Sequence, residues 1–187
     1  MSISVFRFRA KLVWFTPVWR DIEIRSDQTL IHLHNAIQNA FRWYDDHLYS
    51  FFLSGEEWDE DTEYTSPDAL NGTRDIFGEE RRRTGVRLDE LGLEKGQTIA
   101  YVYDFGDNIS LRLKILSIEE LGNVRYPRIV ALKGYAPEQY NYVMGKYSRR
   151  VKNELKKGLQ KIVRLEDVKN IDRILAQWSD IEEDSED

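Results

Sequence analysis

The sequence predicts an α+β protein, because the spacing of its hydrophobic residues changes along the chain. Residues 5–14 and 109–115 alternate between apolar and polar side chains, which is the two-residue period of a half-buried strand. Between Leu30 and Phe41 the apolar residues instead recur every three or four positions, which predicts a helix with one buried side. The same spacing within residues 136–178 predicts C-terminal helices.

The N-terminal elements follow from these patterns in order. The alternation over 5–14 predicts a first strand, and residues 18–24 continue it as the second strand of a hairpin. Ser26 or Asp27 is expected to cap the helix that follows, since either side chain can accept a hydrogen bond from an unpartnered backbone N–H. A third strand is expected over 47–53.

A long polar stretch separates these elements from the second half of the sheet. Residues 54–85 are acidic at first and end in three arginines, and they show no clear period. Such a stretch inside a compact domain predicts a mobile insertion or a functional lid. A helical turn at 88–91 and strands at 99–105, 109–115 and 128–132 are expected to follow it.

We expect a single α+β domain over residues 1–135, with 136–178 packing on it as helices and 179–187 forming an acidic tail. The order of the first elements, together with the segment LDELGLEKGQTIAYV, resembles the β-grasp topology of ubiquitin-like domains. This resemblance covers roughly residues 1–105. It implies a β-grasp-like mixed sheet, and it carries no function by itself.

Composition excludes several classes of function. The chain of 187 residues has no cysteine, which excludes disulfides, thiolate metal sites and cysteine nucleophiles. No stretch approaches the roughly 20 apolar residues of a membrane span, so no membrane partner is expected. The N-terminus lacks the apolar run of a signal peptide, and a cytoplasmic location is expected. The net charge of -6 does not favour general nucleic-acid affinity.

The triplet Asp104-Phe105-Gly106 has the letters of the magnesium-binding triplet of protein kinases. The glycine-rich phosphate loop, the strand lysine and the catalytic loop that kinase chemistry needs are missing from the sequence. The residues instead predict a tight turn between two strands. In this interpretation Asp104 or Asp107 accepts hydrogen bonds from the backbone amides of the turn.

The alternative interpretation is a polar site at the same turn. Asp104 interrupts an otherwise apolar strand, and together with Asp107 it could bind a divalent cation. His34, at the edge of the apolar side of the helix, and His47, at the start of the third strand, could join them. Such a set would support metal-assisted hydrolysis or nuclease chemistry. The sequence contains no complete metal or cofactor motif, and none is expected to be bound.

A basic segment near the C-terminus offers a further hypothesis. Residues 146–164 contain eight Lys or Arg and one acidic residue, Glu154. Tyrosines lie beside them, and cations among aromatic residues suit nucleic acid through phosphate contacts and base stacking. The competing interpretation is an amphipathic helix with a solvated cationic face. The candidate nucleic-acid-binding residues are Lys146, Arg149, Arg150, Lys152, Lys156, Lys157 and Lys161.

Three segments resemble a known family. FTPVWRDIEI, LIHLHNAIQNAFRWYDDHLYSF and YVYDFGDNISLRLKI are similar to the plasmid pRiA4b ORF-three-like family, over roughly residues 5–135. The resemblance implies a mobile-element association but no assigned activity. The matching positions are Trp19-Arg20, Leu33-His34, Trp43, His47-Leu48 and the YDFGD of 103–107, and we therefore count Trp19 and Arg20 with the candidate polar site.

The chain departs from the pattern of this family at three positions. The family commonly has tryptophan and histidine where this chain has Ile109 and Leu111, and a second histidine where it has Tyr49. If the family has a polar or metal site, this chain lacks several of its side chains. The departures therefore count against catalysis.

The sequence as a whole favours a non-enzymatic binding or adaptor module, whose partner is an unknown protein or a nucleic acid. A metal-assisted hydrolase or nuclease that uses the two aspartates and two histidines is the first alternative. Nucleic-acid binding through 146–164 is the second. The hydrolase requires Asp104, Asp107 and at least one of His34 and His47 to meet in one cleft.

Overall fold

The computed structural model describes residues 3–13, 18–70, 82–137 and 139, and within them the protein is α+β. The chain there forms seven strands, one α-helix and three short 3₁₀ helices. The strands are β1 (Ser4–Leu12), β2 (Trp19–Arg25), β3 (Tyr49–Phe52), β4 (Glu63–Thr65), β5 (Thr98–Tyr103), β6 (Ile109–Glu120) and β7 (Arg128–Lys133). The helices are α1 (Leu30–Phe41) and the 3₁₀ turns Glu60–Thr62, Pro67–Leu70 and Leu88–Glu90.

The strands form one sheet in the order β4-β3-β5-β6-β1-β2-β7. Among the described strands, all six pairings are antiparallel. The β-grasp resemblance, with its mixed sheet, is therefore not confirmed. The reason lies in β6, which runs for 12 residues and pairs with both β5 and β1. It takes the position beside β1 as an antiparallel partner.

The core lies between α1 and one face of this sheet. The alternation predicted for the first strand is confirmed, because Phe6, Phe8, Ala10 and Leu12 are all buried in this core. The helix buries the expected apolar residues against it, and it contacts β2 and β7. Burying a large apolar side chain is worth about 1.5–3 kcal/mol, so this layer holds the helix on the sheet.

The helix begins later than the sequence suggested. Thr29 is the N-cap residue. The backbone N–H and the hydroxyl of Thr29 both donate hydrogen bonds to the imidazole Nδ1 of His32. Neither expected cap is in position to serve. Ser26 Oγ accepts from the backbone N–H of Ser4, and Asp27 binds Arg25 across the preceding turn. The prediction of Ser26 or Asp27 was therefore wrong, because both side chains are bound elsewhere in the connection from β2 and the helix begins after Thr29.

The polar insertion contributes to the sheet at both of its ends. Near its start, β4 pairs with β3 and extends the sheet by one strand. Near its end, Arg82 O accepts from the backbone N–H of Thr65, and the N–H of Thr84 donates to Thr65 O. The expected C-terminal helices and acidic tail fall outside the described residues, except for 136–137 and Gln139. Within the residues described, no helix is both long and apolar enough to cross a membrane.

Candidate functional site

The segment that leaves α1, residues 43–48, is held over the end of the sheet by hydrogen bonds. The hydroxyl of Tyr103, at the end of β5, contacts Tyr44 O and lies 2.8 Å from the carboxylate of Asp46. Gln139 accepts from the backbone N–H of Tyr44 and donates to the same carboxylate. These bonds fix the segment although it contains no regular structure.

This arrangement leaves a cavity of about 460 Å³ between α1, the 43–48 segment, the start of β3 and residues 66–68. We call it the acidic cavity, since aspartates come from two sides of it. The side chains that matter for its chemistry are His34, Asp45, Asp46, His47, Ser66 and Asp68. The cavity thus brings together the two histidines that the sequence singled out, with aspartates that it did not.

His34 is the buried wall of the acidic cavity. Its ring stacks on Tyr49 with centroids 3.5 Å apart, and its Nδ1 lies 2.9 Å from the hydroxyl of Tyr101. That hydroxyl accepts a hydrogen bond from the Gln38 amide at 3.0 Å, and burial raises the pKa of Tyr101 well above its ordinary value. The tyrosine therefore keeps its proton and donates it to Nδ1, which leaves the hydrogen of neutral His34 on Nε2.

The Nε2 atom of His34 is shielded from water, but its hydrogen bonding is incomplete. It lies 2.9 Å from Asp45 Oδ1, although the contact is too poorly aligned to count as a hydrogen bond. Among the described residues, it has no other partner. Burial lowers the pKa of His34, and the nearby carboxylate of Asp45 offsets only part of this effect. The imidazole is therefore neutral at pH 7.

The depressed pKa of His34 predicts how stability depends on pH. The unfolded chain binds a proton near the ordinary value of 6.5, whereas the folded protein binds it only at lower pH. Stability should therefore fall as the pH drops below about 6.5, since protonation favours the unfolded chain. Urea denaturation at several pH values measures this loss. His34→Gln should show a shallower decline over the same range, and an equal decline in both proteins would contradict the prediction.

A second buried polar group faces the same space from the opposite side. Ser66 follows β4, and its backbone N–H donates to Tyr49 O at 2.9 Å. The residue is 2% exposed, yet its Oγ finds no hydrogen-bond partner in the described part of the chain. Buried polar atoms without partners are rare in folded proteins, and such an atom commonly marks the place of a bound water, ion or ligand.

Asp104 forms the tight turn that the sequence predicts between two strands. It is the first residue after β5, with a left-handed backbone at φ 52°, and its Oδ1 accepts from the N–H groups of Gly106 and Asp107. Its other oxygen, Oδ2, lies 3.4 Å from His47 Nε2. Asp104 therefore borders the acidic cavity through His47, while one of its oxygens is committed to the turn.

Of the four residues predicted to form a polar site, only the two histidines come together in the acidic cavity. His34 and His47 line the acidic cavity, whereas Asp104 and Asp107 do not appear among the described residues of its lining. In the described ranges, no group of three or more His, Asp or Glu side chains stands close enough to hold a metal ion. Asp107 supplies a backbone amide to the turn.

Trp19 and Arg20 lie away from the cavity, on opposite faces of β2. Trp19 is on the outer face, where the guanidinium of Arg9 stacks over its ring at 4.0 Å. Arg20 is 1% exposed on the core side, and its guanidinium donates to backbone carbonyls. Neither can contribute to a site at His34. The basic segment 146–164 falls outside the described residues, and its role in nucleic-acid binding stays a prediction.

Several residues that shape the cavity were not predicted from the sequence: Asp45, Asp46, Ser66, Asp68 and Tyr101. Asp45 carried a usable signal, because it belongs to a pair of acids directly after the end of a helix. Ser66 lies in the polar stretch that showed no period, and Tyr101 resembles any other aromatic residue of a central strand. Only the packing of β5 against α1 shows that the hydroxyl of Tyr101 orients His34.

A model of a known protein family matches most of this chain. Residues 4–152 match the family described as plasmid pRiA4b ORF-3-like protein. The chain belongs to the plasmid pRiA4b ORF-3-like family. The match includes every residue of the acidic cavity and the turn at Asp104.

A solved structure shares the fold of this family member. It is the crystal structure of MM3350 from Methanosarcina mazei Go1, described as a protein of unknown function. The two are 23% identical, the alignment covers 74% of each chain, and the TM-score is 0.56. No curated protein matches the chain. The family and this neighbour are of unknown function, so the site has to be interpreted from its own chemistry.

Proposed function

We propose that this member of the plasmid pRiA4b ORF-3-like family is a non-enzymatic binding module that takes a small organic amine into the acidic cavity. The observation that supports it most is that two buried polar atoms facing a cavity within the described region have incomplete hydrogen bonding: Ser66 Oγ has no partner, and His34 Nε2 has only its poorly aligned contact with Asp45. Each costs free energy unless something completes its hydrogen bonds.

The charges around the cavity favour a cation. Asp45, Asp46 and Asp68 line it, while His34 is neutral at pH 7. An ammonium group can donate to carboxylates, and hydrogen bonds to charged groups are worth about 1.5–3 kcal/mol each. The hydrogen on His34 Nε2 has only one acceptor nearby, the poorly aligned Asp45 carboxylate at 2.9 Å, so a better-placed oxygen would complete its bonding. The ligand should therefore carry an oxygen acceptor near its amine, as amino alcohols and amino acid amides do.

The size of the cavity agrees with a small molecule. Ligand pockets commonly span about 300–1,000 Å³, and the acidic cavity is about 460 Å³. The state of His34 supports binding without catalysis. A general base must accept a proton during the reaction, whereas burial and the hydrogen bond from Tyr101 hold this imidazole neutral, with its acceptor nitrogen occupied.

Calorimetric titration with ethanolamine, glycinamide and putrescine tests this proposal. We expect the two oxygen-bearing amines to bind more tightly than putrescine, and Asp45→Asn to weaken binding by about 10–100-fold, because it removes one charged acceptor. Ser66→Ala should weaken it less. Glu94→Gln is the matched control, since this exposed carboxylate lies before β5 and away from the cavity. Binding that Asp45→Asn leaves unchanged, or no binding of any probe, would reject the proposal.

A second candidate, metal-assisted hydrolysis, is favoured by one contact. His47 Nε2 lies 3.4 Å from Asp104 Oδ2 and 3.6 Å from Asp46 Oδ1, so an imidazole and carboxylates share one edge of the cavity. Titration with Mn²⁺ and an assay with bis-(p-nitrophenyl) phosphate separate the two candidates. Hydrolysis that depends on Mn²⁺ and disappears in His47→Gln would support the enzyme and displace the binding module.

A further inference from the structure

The outer face of the sheet, opposite the core, carries a continuous group of cations. The alternation that buries one side of β1 sends its basic residues to the other side. Across the β1–β6 pairing, Arg9 stands opposite Lys114 and Lys11 stands opposite Arg112. Two neighbouring central strands therefore present one array. We call Arg7, Arg9, Lys11, Arg112 and Lys114 the cationic face.

The carboxylates that accompany these cations lie beneath them. Asp21 is 1% exposed, and it binds Arg9 at 2.7 and 2.9 Å and Arg7 at 3.3 Å. The arginine side chains remain 30% and 38% exposed, so water meets the cations and not the acid. At the other border, Glu57 contacts Arg112 at 2.8 Å. The buried Asp21 and the partly exposed Glu57 orient the guanidinium groups without covering them.

The balance of charge on the cationic face is opposite to that of the chain. Five cations accompany the acids Asp21, Glu57 and Glu23, the last of them opposite Arg7, in a protein with a net charge of -6. The next acid along β2, Glu23, is already bound by Arg128. Lys11 and Lys114 are exposed and have no acid opposite them in the strand register. The face is therefore complementary to an anionic ligand.

An aromatic platform adjoins these cations. Trp19 stands opposite Lys11 in the β1–β2 register, and the guanidinium of Arg9 stacks over its ring. Side chains on one face of a sheet repeat about every 7 Å along a strand and about 4.8 Å across strands. The face is thus a flat grid with a stacking group at its edge. Stacking together with phosphate contacts is the pattern by which single-stranded nucleic acid is bound.

We infer that the cationic face binds single-stranded nucleic acid through its phosphates, with a base stacking beside Trp19. A duplex fits less well, because the broad sheet surface is wider than the major groove of about 12 Å, which admits a helix or a two-stranded ribbon. A single strand can lie flat across β1 and β6. This inference is independent of the acidic cavity, which lies on the other side of the sheet.

Fluorescence anisotropy with a labelled oligo(dT) of about 20 nucleotides tests the inference on the 187-residue chain. If four cations each neutralise one phosphate, affinity should fall about 50-fold between about 50 and 200 mM salt. Lys11→Glu combined with Lys114→Glu removes two of these contacts. The double variant should bind at least tenfold more weakly at low salt and lose only about sevenfold over the same salt range.

Control variants decide which cations carry the binding. Arg125→Glu changes an exposed cation in the β6–β7 loop and should leave the affinity unchanged. Trp19→Leu should weaken binding roughly tenfold through lost stacking. The inference fails if the chain does not bind the oligonucleotide at low salt, or if a labelled polyglutamate peptide binds as tightly. It also fails if binding survives Lys11→Glu/Lys114→Glu and is lost only when Lys156, Lys157 and Lys161 become glutamate.

Discussion

Replacing Arg20 with leucine is expected to lower the free energy of unfolding by about 3 kcal/mol. The guanidinium of this residue is almost fully buried, and it joins three elements through backbone carbonyls. Its Nε donates to Ala40 O at 2.9 Å, in the last turn of α1. Its Nη1 donates to Trp19 O at 2.9 Å, and to Lys133 O and Gly134 O at 3.1 Å, at the end of β7.

The expected loss of stability comes from the backbone carbonyl groups that leucine would leave without hydrogen-bond donors. Ala40 O is among the last carbonyls of a helix, which have no partner inside the helix itself. A buried acceptor left without a partner costs about 1–3 kcal/mol. Burial lowers the pKa of Arg20 to about 9, so the group is still protonated at neutral pH. A buried charge costs free energy of desolvation, and leucine avoids this cost. The expected loss of stability therefore stays near 3 kcal/mol.

Urea denaturation followed by tryptophan fluorescence measures this change. Arg125→Leu is the matched control, since it removes an exposed arginine in the β6–β7 loop and should change stability by less than about 0.5 kcal/mol. Arg20→Lys should recover only part of the loss, because one ammonium group cannot replace donors that point in several directions. If Arg20→Leu were as stable as the control, the carbonyl contacts would contribute nothing.

Replacing Tyr103 with phenylalanine is expected to cost about 2 kcal/mol and to weaken amine binding roughly tenfold. The hydroxyl contacts Tyr44 O, the carboxylate and N–H of Asp46, and the amide of Gln139. Burial raises the pKa of Tyr103 well above its ordinary value, so the hydroxyl keeps its proton. Without it, the 43–48 segment that carries Asp45 loses its main attachment to β5.

The Tyr103→Phe variant tests the hydroxyl alone, because the aromatic ring and its packing on Trp43 are retained. Hydrogen exchange at the amide of Asp46, which bonds to the hydroxyl, should accelerate more than exchange in β1 or β6. Tyr126→Phe is the control. Its hydroxyl contacts only the N–H of Gly122 among the described residues, in an exposed loop, and its loss should have little effect. Unchanged exchange at Asp46 in Tyr103→Phe would show that the segment is held by other contacts.

The fold was predictable wherever a local pattern decides the structure. The alternation in β1 and the three-to-four spacing in α1 each depend on which side of one element meets the core, and that information lies within about ten neighbouring residues. The neighbours of β1 were not predictable in the same way. The sequence shows that β6 has one apolar side, but not that it continues to Glu120 and pairs with β1 along its length.

The candidate site was predictable only in part, for a related reason. His34 and His47 drew notice because histidines are few in the chain, with three in all. Asp104 drew notice because it interrupts an apolar strand. The role of Asp104 in its turn depends on a left-handed backbone and on two amides that it accepts from. Its separation from the cavity lining depends on where the 43–48 segment lies.

The amino-acid order by itself determines which side of each strand and of the helix is apolar, and with it the basic side of β1, because these properties follow from the period of a single element. Only the tertiary structure decides that His34, Asp45 and Ser66 face one cavity and that Arg9 stands opposite Lys114. These contacts join residues far apart in sequence. They are selected by the packing of whole elements, since a backbone segment can satisfy its own period in many different arrangements.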